Sequence, residues 1–272
     1  MNRIQRKIFI TYSNSKEFTV SKDHLISLAK YSNFFDNCIP YSFNDLDQNF
    51  VKKYSNIFKS SRGGGFWIWK LNIIEKTLKD MNENDILIYC DAGSSLNYHA
   101  QRRFNEYIDI LNDNGDTSNL RIECEKHHIE NEWTSKELFN FFQISPNSKI
   151  GLSTQLEAGH ILFKKNNQTD EIIKLFHKVL DYDEELITDY YNDTNQISRF
   201  RECRHDQSIW SLLTKIYGGI ILENETDFRG REIEQYDYPF LAVRRKGHGL
   251  RDRMKYKLLK QYYKSKPSYF RN

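Results

Sequence analysis

The sequence predicts an α/β fold in which helices cover both faces of a mainly parallel central sheet. Three observations predict it. Apolar runs alternate with helical patterns along the chain, and residues 85–90 (DILIYC) read as a strand buried on both faces. Hydrophobic residues make up 39% of the 272 residues, enough for a sizeable core. We therefore expect a folded chain, not a disordered one.

The first half of the chain begins with a strand. Lys7–Tyr12 (KIFITY) is apolar, β-branched and followed by Ser-Asn-Ser, which indicates a buried strand. Helical spacing covers 21–31 and 45–58, with a possible second strand at 37–43. A clear amphipathic helix then leads into 85–90. Its apolar face is formed by Trp67, Leu71, Ile74, Leu78 and Met81.

The second half repeats the order of helix and strand. Predicted helices cover 98–111, 135–142, 169–180 and 206–217, and predicted strands cover 120–124, 159–164 and 219–222. This repetition indicates a single αβα sandwich. Because no repeat or linker is visible, we predict one domain over 1–240 and a basic C-terminal extension over 241–272.

Positive charge is concentrated in that extension. The whole chain has 40 basic and 37 acidic residues, but 241–272 hold eleven basic residues and one acidic residue. Tyrosines interleave with these cations, which suits contact with lipid head groups or diphosphates; a solvated terminal helix is an equal alternative. Nucleic acid is not an expected partner, because the rest of the chain is acidic and lacks a nucleic-acid-binding motif.

The apolar runs, the N-terminal segment and the cysteines indicate the cellular compartment. No stretch approaches ~18 consecutive apolar residues, and the basic start lacks the apolar region of a secretory signal. The four cysteines form no C-x-x-C pair, which argues against a zinc knuckle or a disulfide framework. We expect a cytoplasmic protein that is not secreted, with any membrane contact made peripherally through 241–272.

An acidic residue directly follows the strand at 85–90. Ligands of open α/β sheets lie outside the carboxyl ends of the strands, so we expect Asp91 at a cleft. Ala92 and Gly93 are small enough for a diphosphate or a sugar to approach the backbone. A carboxylate there can hold a divalent cation that neutralises phosphate charge; the alternative is an Asp that caps the next turn.

Three glycines precede an aromatic helix start in 60–70 (SSRGGGFWIWK). Glycines can adopt positive φ and expose N–H groups at a helix N-terminus, where an anion is favoured. Arg62 and Lys70 flank this turn with positive charge. The segment is neither a P-loop nor a dinucleotide-binding glycine motif, and a plain loop is the alternative.

These motifs resemble a known family. RGGGFWIWK, DILIYCDAGSSL, QLEAGHILFK and RHDQSIWSLL are similar to segments of GT-A type nucleotide-sugar glycosyltransferases of bacterial polysaccharide clusters and large DNA viruses. The resemblance covers residues 60–222. It implies a GT-A-like (Rossmann-like) fold and transfer of a hexosyl or other sugar from a nucleotide donor to a saccharide, lipid or protein acceptor.

The resemblance also implies site residues. Asp91 falls where the family has a metal-binding D-x-D segment, although Gly93 replaces the second aspartate. His248 is similar in placement to a C-terminal histidine that completes the metal site in some such enzymes, which implies Mn²⁺ or Mg²⁺ bound by Asp91 and His248. The implied nucleotide-sugar-binding residues are Tyr12, Arg62, Lys70, Asp91, Ala92, Gly93 and Gln155.

Two carboxylates are candidates for the catalytic base or for positioning the acceptor. Glu157 resembles the acceptor-side loop of the family. Asp206 shares the apolar stripe of the helix over 206–217, so it should face inward; an N-cap role is the alternative. Departure of a nucleoside diphosphate develops negative charge that a metal, Arg62 or Lys70 would stabilise, and an inverting transfer needs a base.

Two other functions stay open. A sugar-phosphate nucleotidyltransferase should have a glycine-rich basic segment after the first strand, but residues 13–22 contain no glycine. A non-catalytic scaffold could dock through 241–272. Nucleotide sugars should leave the thermal stability of such a scaffold unchanged, whereas they should stabilise a transferase.

Removal of residues 250–272 tests the role of the basic extension. We expect the truncated protein to bind anionic liposomes more weakly than the full chain does, with a smaller effect on donor hydrolysis. The full chain should also bind less as salt increases, because salt screens surface charges. Cosedimentation at two ionic strengths measures both effects. Binding that is insensitive to truncation and to salt would contradict the prediction.

Overall fold

A computed structural model describes residues 4–227 and 237–243. The strands of these residues are β1 (Lys7–Tyr12), β2 (Asn37–Tyr41), β3 (Ile86–Cys90), β4 (Ser95–Leu96), β5 (Asn119–Ile122), β6 (His160–Lys164), β7 (Ile220–Leu222) and β8 (Phe240–Leu241). Six of them form one sheet in the order β2-β1-β3-β6-β5-β7, and β4 pairs with β8 in a separate small sheet.

Five strands of the main sheet run in one direction. β1 pairs in parallel with β2 and β3, and β5 pairs in parallel with β7. β6 lies between β3 and β5 and is antiparallel to both. The predicted mainly parallel sheet is confirmed. The reversal of β6 brings the loop before it to the edge where the other strands end.

Ten helices accompany the sheet in the described ranges. They are α1 (Lys16–Ser32), α2 (Gln48–Lys53), α3 (Ser55–Phe58), α4 (Gly63–Phe66), α5 (Trp69–Lys79), α6 (Gln101–Asp113), α7 (Glu130–Trp133), α8 (Lys136–Phe141), α9 (Asn167–Tyr182) and α10 (Asp206–Tyr217). The start of α1 is capped by Ser15, whose hydroxyl accepts the N–H of Phe18 at 3.3 Å. The single helix predicted over 45–58 is wrong, because Tyr54, with φ −104° and ψ 32°, separates α2 from α3.

Alternate side chains of the central strands pack into two cores. Ile88 and Cys90 of β3 face the layer of α1 and α6, whereas Leu87 and Tyr89 face the layer of α5, α9 and α10. All four are buried. This arrangement confirms the predicted αβα sandwich. Asp91 follows Tyr89 by two residues and therefore continues the row that faces α5 and α10.

The predicted boundary between 240 and 241 falls inside β8, where Leu241 pairs with Ser95. Residues 244–272 lie outside the described residues, so the division into a domain and a basic extension stays a prediction. In the part of the chain that is described, no helix combines the length and the apolar character needed to cross a membrane.

The glycine segment, which includes the short element α4, forms a left-handed turn and not a regular right-handed helix start. The N–H groups of Gly64, Gly65 and Phe66 donate to the carbonyls of Ser61 and Arg62. The prediction that the glycines offer free donors to an anion is therefore wrong for Gly64 and Gly65. The helix that follows begins at Trp69, not at Trp67. Positive φ occurs at Gly63 (58°), Gly64 (62°), Gly65 (98°), Phe66 (50°) and Trp67 (60°).

Gly63→Ala should destabilise the protein more than Gly115→Ala. The two glycines have φ of 58° and 57°, so both alanines carry a left-handed penalty of about 1–2 kcal/mol. A Cβ at Gly63 would lie 2.3 Å from the Trp67 ring, whereas one at Gly115 would meet no atom within 4 Å. We expect a further ~1–3 kcal/mol loss for Gly63→Ala in chemical denaturation. Equal losses would contradict this packing.

Candidate active site

A cavity of about 930 Å³ opens at the edge where the parallel strands end. Residues that follow β1, β3, β5 and β7 line it, together with the loop before β6. This is the edge at which open α/β sheets bind ligands. Five of the predicted site residues line the cavity: Tyr12, Asp91, Ala92, Gly93 and Glu157.

Asp91 presents a partly exposed carboxylate to this cavity. Its side chain is 41% exposed, and its Oδ1 accepts the hydroxyl hydrogen of Tyr89 at 2.5 Å. The N–H of Asp91 donates to the Gly159 carbonyl at 2.8 Å. A Cβ at Gly159 would lie 3.4 Å from Asp91 Oδ2, so the glycine leaves space beside the carboxylate. The hydrogen bond from Tyr89 thus orients the carboxylate, which stays accessible from the cavity.

A buried lysine lies behind Asp91. The side chain of Lys70 is 2% exposed, and its Nζ lies 2.6 Å from Asp206 Oδ2 and 3.7 Å from Asp91 Oδ1. The same Nζ donates to the Ala158 carbonyl at 2.8 Å. Neither Lys70 nor Asp206 is among the residues that line the cavity. The predicted site residues Lys70, Asp91 and Asp206 are therefore in one charge cluster, of which only Asp91 reaches the cavity.

Burial raises the pKa of the Asp206 carboxyl from 3.8 to about 6. The charge of Lys70 opposes this shift, and the charge of Asp91 adds to it. The side chain is 5% exposed, so it faces inward as its place on the apolar stripe of α10 predicts. The residue at the N-cap of α10 is His205, not Asp206.

Glu157 lines the cavity with both carboxylate oxygens bonded. Oε1 lies 2.8 Å from Nδ1 of His160, and Oε2 accepts the hydroxyl hydrogen of Thr226 at 2.9 Å. Arg121, which is fully buried, donates to the backbone carbonyl of Glu157 at 2.6 Å. Burial lowers the pKa of Arg121 to about 10, and the charges of Glu157 and Asp206 oppose this shift. These contacts hold the loop before β6 at the cavity.

Two predicted nucleotide-sugar-binding residues lie off the cavity wall. Gln155 is fully buried; its amide donates to Glu130 at 3.1 Å and accepts from Gln207 at 2.7 Å. Arg62 Nε donates to Nε2 of His205 at 2.8 Å. The structure therefore does not bring Gln155 or Arg62 to the cavity surface, and their roles in donor binding stay predictions.

His205 connects the glycine turn to α10. It has a φ of 56°, and its ring stacks on Trp67 with centroids 5.3 Å apart. Burial lowers the pKa of His205 to about 3, and the neighbouring Arg62 and Arg204 lower it further. The imidazole is therefore neutral and can accept the hydrogen bond from Arg62.

One wall of the cavity is aromatic. Tyr12 stacks on Trp69 with ring centroids 3.9 Å apart and an interplanar angle of 18°. The indole N–H of Trp69 donates to the Gly63 carbonyl at 2.8 Å, so the glycine turn fixes the ring. Flat apolar faces of this kind suit contact with a planar base or a sugar. Four further aromatic residues also line the cavity: Phe18, Phe43, Phe58 and Trp67.

The residues that orient this site were missed from the sequence. Tyr89 and Thr226 position carboxylates through hydroxyl groups, and His160 is 1% exposed beside Glu157. The pairing of Cys90 with His160 across β3 and β6 places them next to Asp91. Contact between Tyr89 and Asp91 could have been predicted, because side chains two residues apart along a strand lie on the same face.

The residues described around Asp91 do not form a complete metal site. Asp91 offers one carboxylate, and the ammonium of Lys70 lies 3.7 Å from it, which disfavours another cation. Across 4–227 and 237–243, Asp91 belongs to no group of three ligand side chains whose ligand atoms lie within 4.8 Å of one another. His248 lies outside the described residues. A cation held by Asp91 and His248 therefore stays a prediction.

Comparisons with known proteins give no match among protein-family models or curated proteins. One similar solved structure is a glycosyltransferase involved in the glycosylation of the major capsid of PBCV-1, with 10% identity, a TM-score of 0.49, and coverage of 93% of this chain and 99% of that chain. This structure and the two described next are glycosyltransferases to which the chain is similar at TM-scores below 0.5, and the resemblance to GT-A type glycosyltransferases rests on the sequence motifs.

Two further solved structures are similar. The mouse xyloside xylosyltransferase 1 has 10% identity and a TM-score of 0.42, and the match covers 80% of this chain and 84% of that chain. The galactosyltransferase LgtC has 13% identity and a TM-score of 0.39, with coverage of 81% and 75%. Because the three TM-scores lie below 0.5, the reaction is inferred from the cavity residues alone.

Lys70→Met should destabilise the protein strongly. It leaves the Asp206 carboxylate buried without its cation, which typically costs about 3–5 kcal/mol. Addition of Asp206→Asn should recover most of the lost free energy of unfolding, because the double variant has no unpaired charge at this position. Chemical denaturation of the two variants and the wild type measures this. A double variant that is no more stable than Lys70→Met would contradict the assigned pair.

The defect of Lys70→Met should shrink at acidic pH. The pKa of Asp206 is higher in the folded protein, about 6, than its ordinary value of 3.8. The folded state therefore binds the proton more tightly, and this group contributes less stability as the pH rises through that interval. Protonation also removes the charge that Lys70 compensates. We expect a smaller difference between variant and wild type at about pH 5 than at about pH 8; a larger difference at about pH 5 would contradict this.

Proposed function

We propose that the protein is a glycosyltransferase that moves a sugar from a nucleoside diphosphate to a hydroxyl group of a saccharide, lipid or protein. The observation that carries the proposal is Asp91, a 41% exposed carboxylate oriented by Tyr89 within a cavity of about 930 Å³. That volume falls in the range of about 300–1,000 Å³ typical of small-molecule sites. The adjoining aromatic wall supports a ligand that contains a flat base.

The donor side of the proposed site is built around Asp91. Ala92 and Gly93 allow close approach of a diphosphate to the backbone after β3. The aromatic wall, in which Tyr12 stacks on Trp69, supplies a surface for the base. A Mn²⁺ or Mg²⁺ ion at Asp91 and His248 remains a prediction within this proposal.

The negative charge that develops on the departing nucleoside diphosphate must be stabilised by cations at the cavity surface. Lys59 and Arg204 are the lysine and arginine that line the cavity within the described ranges. Lys70 is buried behind Asp91, where it stabilises the ionised carboxylate rather than the substrate. We therefore assign the diphosphate contacts to Lys59 and Arg204 in place of Arg62 and Lys70.

The acceptor side of the proposed site contains Glu157. In the transfer, the acceptor oxygen bonds to the anomeric carbon as the bond from that carbon to the diphosphate breaks, and the nucleoside diphosphate leaves with the electron pair. The acceptor proton must pass to a base if the configuration inverts. Glu157 lines the cavity, whereas Asp206 is paired with Lys70. We assign the base or acceptor-positioning role to Glu157 and a positioning role to Asp206.

A thermal-shift series separates this proposal from the alternatives. UDP-, GDP- and TDP-sugars, each with and without manganese, should include at least one that raises the melting temperature, because a ligand that binds only the folded state stabilises it. Sugar released from that donor then measures turnover. No stabilisation by any donor would favour a scaffold. A cytoplasmic location and membrane contact through 241–272 remain predictions.

Asp91→Asn should abolish donor turnover while the protein stays folded. The amide keeps the size of the side chain but removes the negative charge that the donor site requires. Asp109→Asn is a matched control, because Asp109 is exposed on α6 and is not among the residues that line the cavity. Sugar release and thermal melting of both variants measure the effect. Unchanged release from Asp91→Asn would refute the assigned site.

A further inference from the structure

We propose that Glu125, His127 and His128 bind a zinc-class divalent metal ion at the rim of the cavity. Each residue offers one ligand atom, and these atoms lie within 4.8 Å of one another. Two imidazoles and one carboxylate suit Zn²⁺ and Co²⁺, whereas Mg²⁺ and Ca²⁺ prefer oxygen ligands. This site is separate from the cation predicted at Asp91 and does not depend on the proposed reaction.

A closed turn brings the three side chains together. The N–H of His128 donates to the carbonyl of Glu125 at 2.8 Å. Both ends of the loop are fixed to the segment before β6, since Cys124 donates to the carbonyl of Gln155 and Gln155 donates to the carbonyl of His128, each at 2.8 Å. The backbone that carries the ligands is thus ordered without a metal, which lowers the entropic cost of binding.

The side chains need only a small adjustment. His127 Nε2 lies 3.4 Å from Glu125 Oε2, and the rings of His127 and His128 have centroids 4.2 Å apart. Two ligands of one zinc ion lie roughly 3.3–4.2 Å apart when the bonds are about 2.0–2.1 Å long. The side chain of His127 is 65% exposed, so it can rotate to close this distance.

The metal would face the cavity. Glu125 and His128 line the same cavity as Asp91, from the loop after β5. Three protein ligands leave a fourth position for water or a ligand oxygen, as in catalytic rather than structural zinc sites. Arg204 lies 4.0 Å from the Trp133 ring that His128 contacts, and a guanidinium on this side of the turn weakens the attraction for a cation.

Metal binding by the untagged full chain tests the proposal directly. Titration with Co²⁺ followed by visible absorption, and equilibrium dialysis with Zn²⁺, report stoichiometry and affinity without an activity assay. We expect one ion per chain, and affinity at least about 10-fold weaker in His127→Ala/His128→Ala, since loss of even an outer-shell partner of a ligand costs about 10–100-fold. Excess Mg²⁺ should not displace the ion. Thermal melting checks that the variant is folded.

Two controls make the result decisive. Lys126→Ala lies in the same turn but removes no ligand, so it should keep the ion; Asp91→Asn should keep it as well. The proposal is overturned if the double histidine variant binds as tightly as the wild type, if the wild type binds no ion, or if Asp91→Asn alone loses it. A thiolate charge-transfer band with Co²⁺ would assign the ion to a cysteine and would also overturn it.

Discussion

The cavity floor, which is Asp91 and the buried groups behind it, depends on the contacts of the buried Lys70 ammonium. A cation that is 2% exposed has lost its hydration, and protein groups must replace it. Asp206, Asp91 and the carbonyl of Ala158 do so. They come from α10, the end of β3 and the loop before β6, so one charge fixes three segments that are distant in sequence. Separation of these segments would leave a charge unpaired in the interior, which is why the orientation of Asp91 is well determined.

Two turns with positive φ determine where the helices of this cluster begin. The turn over 63–67 comes shortly before Lys70, and His205 directly precedes Asp206. Positive φ is unfavourable for residues other than glycine, and the stacking of Trp67 on His205 helps to offset that cost. Because the two turns contact each other, they align the first turns of α5 and α10. The ion pair between Lys70 and Asp206 then forms across aligned helix starts.

Sequence periodicity predicts faces and edges but not partners. The apolar run of β3 predicts that Asp91 leaves the sheet at its ligand-binding edge, and the stripe of α10 predicts that Asp206 points inward. Both follow from repeats of two and 3.6 residues. The partner of Asp206 could not be predicted in this way, because its approach to Lys70 depends on how two helices pack. The burial of Gln155 could not be predicted either, because it depends on Glu130 and Gln207, which lie in other elements.

The sequence of a short strand also does not reveal its direction. In this protein the direction of β6 determines which side chains lie beside Asp91. An apolar run of five residues has the same pattern whichever way it runs, so the direction of β6 could not be predicted from it. In a parallel strand, the loop before β6 would lie at the edge opposite the cavity, and Glu157 would lie far from Asp91. Because β6 is antiparallel, that loop lies beside Asp91 and supplies Glu157, Gly159 and the carbonyl that binds Lys70.

Gly93 occupies the position at which the resembled D-x-D segment has its second aspartate, and this affects the electrostatics of the cavity floor. Asp91 is then a single negative charge at the cavity, and the ammonium of Lys70 lies 3.7 Å behind it. Such a floor attracts a divalent cation less strongly than two adjacent carboxylates would. In the proposed function, the phosphate charge at this edge is therefore met by Lys59 and Arg204, which line the other walls of the cavity. The metal ion proposed at the turn of Glu125 to His128 would add positive charge beside Arg204, on the wall after β5.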